Sequence, residues 1–285
     1  MIKFILSRCV RSSLALLILA FFLGSPAHAY LPSSAHDRDI IEDILALTGQ
    51  EGNMGAIHQL MLLSLEKYNT DGQQKLEYLD AKARAQEIFS ERNLYEALIK
   101  NLRASTTVSE LKKAKQILHL PIVSKMIQLE LAEVATARED ALNFYKAYLK
   151  KNPADSQKEY LIRQWVKHSP HSEHTINIQM LVELIAARSL KPAFFVNVAN
   201  MKNHKNERIN QQQEFLYFKY LYTYRNVDHS DLSRYLELMT TNDGQQFYDS
   251  LMGAHLRSVH QLGTQLVENV KKHREARYLR LSSKD

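Results

Sequence analysis

From Ile122 to Lys151 the chain meets neither glycine nor proline, and its apolar residues return every three or four positions: Ile127, Leu131, Val134, Leu142, Tyr145 and Leu149. That spacing lines one face of a helix, whereas a strand needs two-residue alternation. Strict alternation is hard to find anywhere in the sequence. Its 8 glycines and 6 prolines, among 285 residues, sit mainly between periodic segments. A chain punctuated this way predicts an all-α fold. Pro121 marks a helix start, and Asn152-Pro153-Ala154-Asp155 closes the long run. Proline disfavours helix at the residue before it and opens a new one, so this is the sharpest boundary in the chain.

The same reading places other helices. Tyr30 to His36 is polar and loose; Ile40, Ile41, Ile44, Leu45 and Leu47 then share one side of a short helix that Thr48-Gly49 ends. Gly52 and Gly55 loosen the connection, and a second helix runs from about Met54 to Tyr68, followed by the Asn69-Thr70-Asp71-Gly72 turn. Helix resumes through Ile88 and Phe89, and again from Leu94 to Leu102. Ser109-Glu110 reads as an N-cap with an acid in the first turn.

Two segments, 30–152 and 153–285, line up at one offset near 121 residues. Ile40-Ile41-x-x-Ile44-Leu45 matches Leu161-Ile162-x-x-Trp165-Val166, and Thr48 falls on Ser169. Ile57, Leu60, Met61 and Leu63 fall on Ile178, Leu181, Val182 and Leu184; Ser109-Glu110-Leu111 falls on Ser230-Asp231-Leu232. Any two helical sequences share some apolar coincidences. Several helices and caps keeping one offset favour a duplication, two tandem helical bundles each closing on its own apolar stripes.

The run from Phe215 to Tyr224, then Ser230-Asp231-Leu232, Tyr235 and Asp243-Gly244-Gln245-Gln246-Phe247, resembles an exported bacterial all-helical family catalogued as a domain of unknown function. The likeness is best over residues 176–260 and degenerate over 55–140, where Pro121-Ile122-Val123 replaces the Asn-Asp-Gly turn. It implies a helical fold in the envelope and carries over no activity.

The N-terminus follows the logic of a cleavable export signal. Lys3, Arg8 and Arg11 precede an apolar run from Leu14 to Leu23, and Ala27-His28-Ala29 supplies small residues for cleavage after Ala29. The run falls short of the roughly 20 residues a membrane span needs. Residues 1–29 carry off the single cysteine, Cys9, so the expected mature chain is thiol-free, periplasmic or secreted. They also carry off three positive charges, and the net charge drops from +6 to +3. That balance excludes a nucleic-acid partner as the reading of the basic pI. Lys271, Lys272, Arg274, Arg277 and Arg280 concentrate the remaining basic character at the end. Such a tail reads as a solvated helix end, with phosphate or an anionic membrane surface as the alternative.

His168, His171, Glu173 and His174 form the most suggestive cluster, since imidazole and carboxylate three residues apart can share a zinc ion. Pro170 interrupts that spacing and Ser169 and Ser172 resemble caps, so a solvated polar turn is the better reading. His255, His260 and His273 fit no metalloprotease spacing and read as surface or partly buried helix residues. Tyr217, Tyr220 and Tyr224 surround Phe215, Phe218 and Tyr222 on one helix. The stripe reads as core, while the surplus tyrosines offer a partner surface. Gly49-x-x-Gly52-x-x-Gly55 has no strand beside it and reads as a loop, and no catalytic or cofactor motif is recognisable. The expectation is a non-enzymatic protein binding an envelope protein or peptide. A small-ligand or lipid carrier with an apolar cavity is the alternative, and a metal-dependent hydrolase stands third.

Overall fold

A computed structural model describes residues 35–68, 75–136, 139–190 and 198–282. Among them it holds 12 α-helices and no strand. We number them α1 (Ala35–Leu47), α2 (Gln50–Tyr68), α3 (Lys75–Ile88), α4 (Glu91–Ser105), α5 (Val108–Leu118), α6 (Pro121–Thr136), α7 (Glu139–Leu149), α8 (Ser156–His168), α9 (His171–Leu190), α10 (Val198–Thr223), α11 (His229–Met239) and α12 (Asn242–Ser282). The leader expected over 1–29 and the turn at Asn69–Gly72 lie outside the described residues. None of the described helices is long and apolar enough to cross a membrane.

Local chemistry sets several ends differently from the sequence reading. The cap of α5 is Thr107, two residues before Ser109. Thr107 Oγ1 accepts from the Glu110 N–H at 3.3 Å, and Glu110 Oε2 accepts from the Thr107 N–H at 2.6 Å. This reciprocal box needs threonine three residues ahead of glutamate, a spacing Ser109 does not have. Asp155 caps α8 by accepting from the Lys158 N–H at 2.9 Å, which is why the chain restarts so promptly after Pro153. The expected glycine loop is mostly helix: Gly52 and Gly55 lie within α2, and only Gly49 turns the chain, at φ +66°. A β-carbon there would come 2.2 Å from Leu131 Cδ2, so both backbone and neighbour call for glycine. The Gly- and Pro-free run is described as α6 and α7, with their joint at 137–138 outside the described residues.

The core is not partitioned at residue 152. One apolar cluster joins Ile41, Ile57, Phe89 and Leu98 of the first segment to Ile178, Val182, Leu232 and Leu266 of the second. Each such buried side chain is worth roughly 1.5–3 kcal/mol. α9 runs through the middle between α2, α10 and α12. α12, 41 residues and about 60 Å long, lies across α3, α4 and α5, while α6 and α7 rest on α10 and α11. Each segment thus fills the other's core with its last helices. Gly263 allows the close crossing of α12 on α9, since a β-carbon there would stand 2.2 Å from Ile185 Cδ1.

Candidate functional site

The residues α10 turns inward make its chemistry. Lys219, Tyr220, Thr223 and Tyr224 are all buried, spaced to share one face of the helix. Tyr224 and Tyr235 both donate to Glu130 Oε1, Tyr235 at 3.0 Å, so a carboxylate from α6 joins phenols from α10 and α11. Burial raises the Glu130 carboxyl above its ordinary range, against the pull of Tyr224, Lys219 and Tyr235. Burial lowers the Lys219 ammonium, opposed by Glu130 and Glu133. The proton affinities of acid and amine are thereby drawn together in a water-poor setting. Burial raises both phenols, and the nearby carboxylate adds to the shift.

A second layer lies against the first. Tyr220 Oη is 3.2 Å from His171 Nδ1, and Tyr220 stacks on Tyr224 with ring centroids 5.8 Å apart. The His171 ring stacks on Tyr248 at 4.4 Å and meets Trp165 edge-on at 5.6 Å. His174 stacks on the same tyrosine at 5.8 Å. Burial lowers both imidazoles to about 3, so both are neutral near neutral pH; His174 adds to the effect on His171, and Lys205 to that on His174. Ser172 Oγ, Gln179 Nε2, Thr223 Oγ1 and Tyr248 Oη are buried without a hydrogen-bond partner in the protein. Polar side chains of α6, α9, α10, α11 and α12 thus meet inside the helical core, some of them paired and some not.

Outside this network the other side of α10 meets α7. Tyr145 packs edge-on to Tyr222 at 5.2 Å and donates to the Leu221 carbonyl at 3.3 Å. Lys146 Nζ sits 4.5 Å over the Phe218 ring, and the Arg225 guanidinium 4.0 Å over Tyr222, while also 2.9 Å from Glu133. Beside them Phe144 and Tyr148 stand 75% and 49% exposed. Tyr160 is exposed on the outer side of α8. Solvent-open rings beside half-buried, cation-paired ones are a combination that a protein–protein contact uses.

These positions revise the sequence expectations. Tyr217, Tyr220 and Tyr224 are buried and offer no open partner surface. Each has an internal partner for its hydroxyl: Glu159 and Arg163 for Tyr217, His171 for Tyr220 and Glu130 for Tyr224. Burial, then the Glu159 carboxylate, pushes Tyr217 up to about 12. The polar turn at 168–174 is not solvated, because α9 begins at His171 and drives His171, Ser172 and His174 into the core. His168 stays exposed, 2.9 Å from the Gln164 carbonyl, and Glu173 pairs with Lys205 at 2.6 Å. Of the four zinc candidates, His171 and His174 share the ring of Tyr248, while His168 and Glu173 are turned to other contacts. Among the described residues no three His, Cys, Asp or Glu side chains are grouped to hold a metal ion. His255 is buried too, its Nε2 2.9 Å from Gln50 Oε1.

Sequence reasoning missed Glu130 and Lys219, although a signal was present. Glu130, half-buried, continues the core-facing steps of Val123 and Met126, and the buried Lys219 lies between Leu216 and Tyr220. A charge inside an apolar stripe is the mark of a buried ion or a site. Between α5 and α12 a void of about 10 Å³, room for roughly one water, is lined by Glu110, Lys113, Asp243 and Phe247. No family model matches the chain, and neither a curated protein nor a solved structure was found to be similar to it.

Proposed function

We propose that the protein is a non-enzymatic binding module of the cell envelope that holds a protein or peptide partner on the face made by α7 and α10. The observation that carries this reading is the solvent-open pair Phe144 and Tyr148, set beside Tyr145, Tyr222 and the Lys146–Phe218 contact. Aromatic anchors flanked by cations supply binding energy at low conformational cost. The buried network beneath them holds α6, α10 and α11 together, so the surface needs little ordering when a partner arrives.

Duplication is part of the reading. α1 and α8, α2 and α9, α5 and α11, and α6 and α12 each begin 121 residues apart. Packing is reciprocal at that offset: α5 meets α12 as α11 meets α6, and α4 meets α12 as α10 meets α7. The corresponding positions then differ in kind. Phe144, Tyr148 and Tyr222 answer to Gln265, Asn269 and Asn101, while Glu130, Lys219, Tyr220 and Tyr235 answer to Leu251, Leu98, Ile99 and Ala114. Those four apolar counterparts are buried. A fold that packs with leucine, isoleucine and alanine at these places does not require glutamate, lysine and tyrosine there. The polar core and the aromatic face are specialisations of one side.

Export belongs to the same proposal, on the basic start, the apolar run from Leu14 to Leu23 and Ala27-His28-Ala29. The test is photo-crosslinking in intact cells from position 144 and, as its control, from position 265. A discrete adduct from 144 alone supports the proposal; equal adducts from both positions, or none, refute it. N-terminal sequencing of the cellular protein tests export separately: a start at Tyr30 supports cleavage, and retention of Met1 refutes it.

A further inference from the structure

Val270 is the last core residue of α12, and beyond it the helix continues to Ser282 along the beginning of α3. Two contacts fix the register of this pairing. His273 Nδ1 lies 3.0 Å from Asp80 Oδ1, and Arg277 Nη1 lies 3.9 Å from Glu77 Oε1. Arg274 donates to the Ser189 carbonyl at 3.0 Å and the Leu190 carbonyl at 3.3 Å, tying the projection to the end of α9. At its tip four large apolar side chains face solvent: Leu76 at 67% and Leu79 at 49% on α3, Tyr278 at 61% and Leu279 at 70% on α12. The antiparallel register brings these two pairs to one end of the molecule.

The charge there is one-sided. Along the paired parts of the two helices stand Lys82, Arg84, Lys271, Lys272, Arg274 and Arg277, against Glu77, Asp80 and Glu275. Arg277 pairs with Glu77, Arg84 with Asp80 and Lys271 with Glu275, which leaves Lys82, Lys272 and Arg274 as the excess charge among the described residues. A second copy of this chain would bring like charge against like charge, and a nucleic-acid backbone would give the leucines nothing to enter. An anionic bilayer surface satisfies both features, with phosphates for the excess positive charge and the acyl boundary for Leu76, Leu79 and Leu279. A tyrosine at the junction matches the headgroup level.

We infer that the paired tip of α3 and α12 is a docking surface for an anionic lipid bilayer, holding the protein on the membrane without crossing it. The tip stands apart from the α7–α10 face, so this inference and the proposed partner binding succeed or fail separately. The test is co-sedimentation of the purified protein with vesicles of phosphatidylcholine mixed with phosphatidylglycerol, and with phosphatidylcholine alone. The protein is expected to bind the mixed vesicles and to be released by added salt. Leu76→Ser with Leu279→Ser should weaken binding by about tenfold or more, and Lys272→Glu by about fivefold or more. These positions are exposed, so circular dichroism and thermal midpoints should stay unchanged. No binding to mixed vesicles, equal binding to both kinds, or binding unaffected by either variant overturns the inference. So does a dimer in sedimentation velocity that the leucine variant takes apart.

Discussion

Lowering the pH from 7 to 5 should strip this fold of much of its stability, and three imidazoles set the amount. His171, His174 and His255 are each lowered to about 3, with burial the first cause in every case. An imidazole in the unfolded chain takes its proton near 6.5. Because the folded values lie below the unfolded one, the unfolded chain binds protons first as pH falls. The stabilisation is therefore complete above 6.5 and is lost progressively toward 3. Between pH 7 and pH 5 each ring costs about 2 kcal/mol, or about 6 kcal/mol for the three. Glu130 and Asp249 work in the opposite sense, since burial raises both carboxyls and lets the folded state take protons earlier. The remainder is comparable with the whole stability of an ordinary domain, about 5–15 kcal/mol. The assay is urea unfolding followed by circular dichroism at steps between pH 7 and pH 5. His255→Phe isolates one ring, because His255 has burial as its only cause and Gln50 as its hydrogen-bond partner. That variant should show about two thirds of the wild-type pH slope. A wild-type stability that changes by less than about 1 kcal/mol over this interval, or a variant slope equal to the wild type's, would refute the reasoning.

Three further outcomes are expected. Glu130→Leu alone should cost about 1–3 kcal/mol, because the Tyr224 and Tyr235 hydroxyls lose their acceptor and Lys219 loses a nearby carboxylate. Adding Lys219→Leu should recover much of that loss, as a double-mutant cycle in urea would show. Gly263→Ala should cost about 1–3 kcal/mol through overpacking against Ile185, and Ile185→Ala in the same chain should relieve the clash; additive thermal shifts would contradict this. Thr107→Ala should lower stability by about 1 kcal/mol, and an unchanged unfolding midpoint would mean the reciprocal cap at α5 contributes nothing.

Helix placement was legible because punctuation is local. Pro121, Pro153 with Asp155, and the Thr48-Gly49 and Ser169-Pro170 breaks each act within a few residues, and the helices begin or end beside them. Side-chain environment was not, because it depends on partners far along the chain. Nothing near His171 announces Tyr248, and nothing near Tyr224 announces Glu130, yet those contacts turn an expected solvated turn and an expected open surface into core. Gly52 and Gly55 misled for the opposite reason: helix propensity penalises glycine by only about 1 kcal/mol, which packing of α2 overrides. Glu130 marks the limit of what was readable, since a charge at a core-facing step stands out from the apolar periodicity alone.

The crossing of α12 over α4 has a consequence in time. Asn101 donates to Ser258 Oγ at 3.1 Å, a contact spanning 157 positions of sequence, and Leu266 and Val270 complete the same apolar cluster as Leu98. Helices made early thus wait for helices made last, and loop closure over such distances is slow. Until synthesis has passed Val270, the first segment has no finished core to fold around. Completion of the native core therefore waits for the last helix, and a chain that has not finished folding is what the proposed export requires.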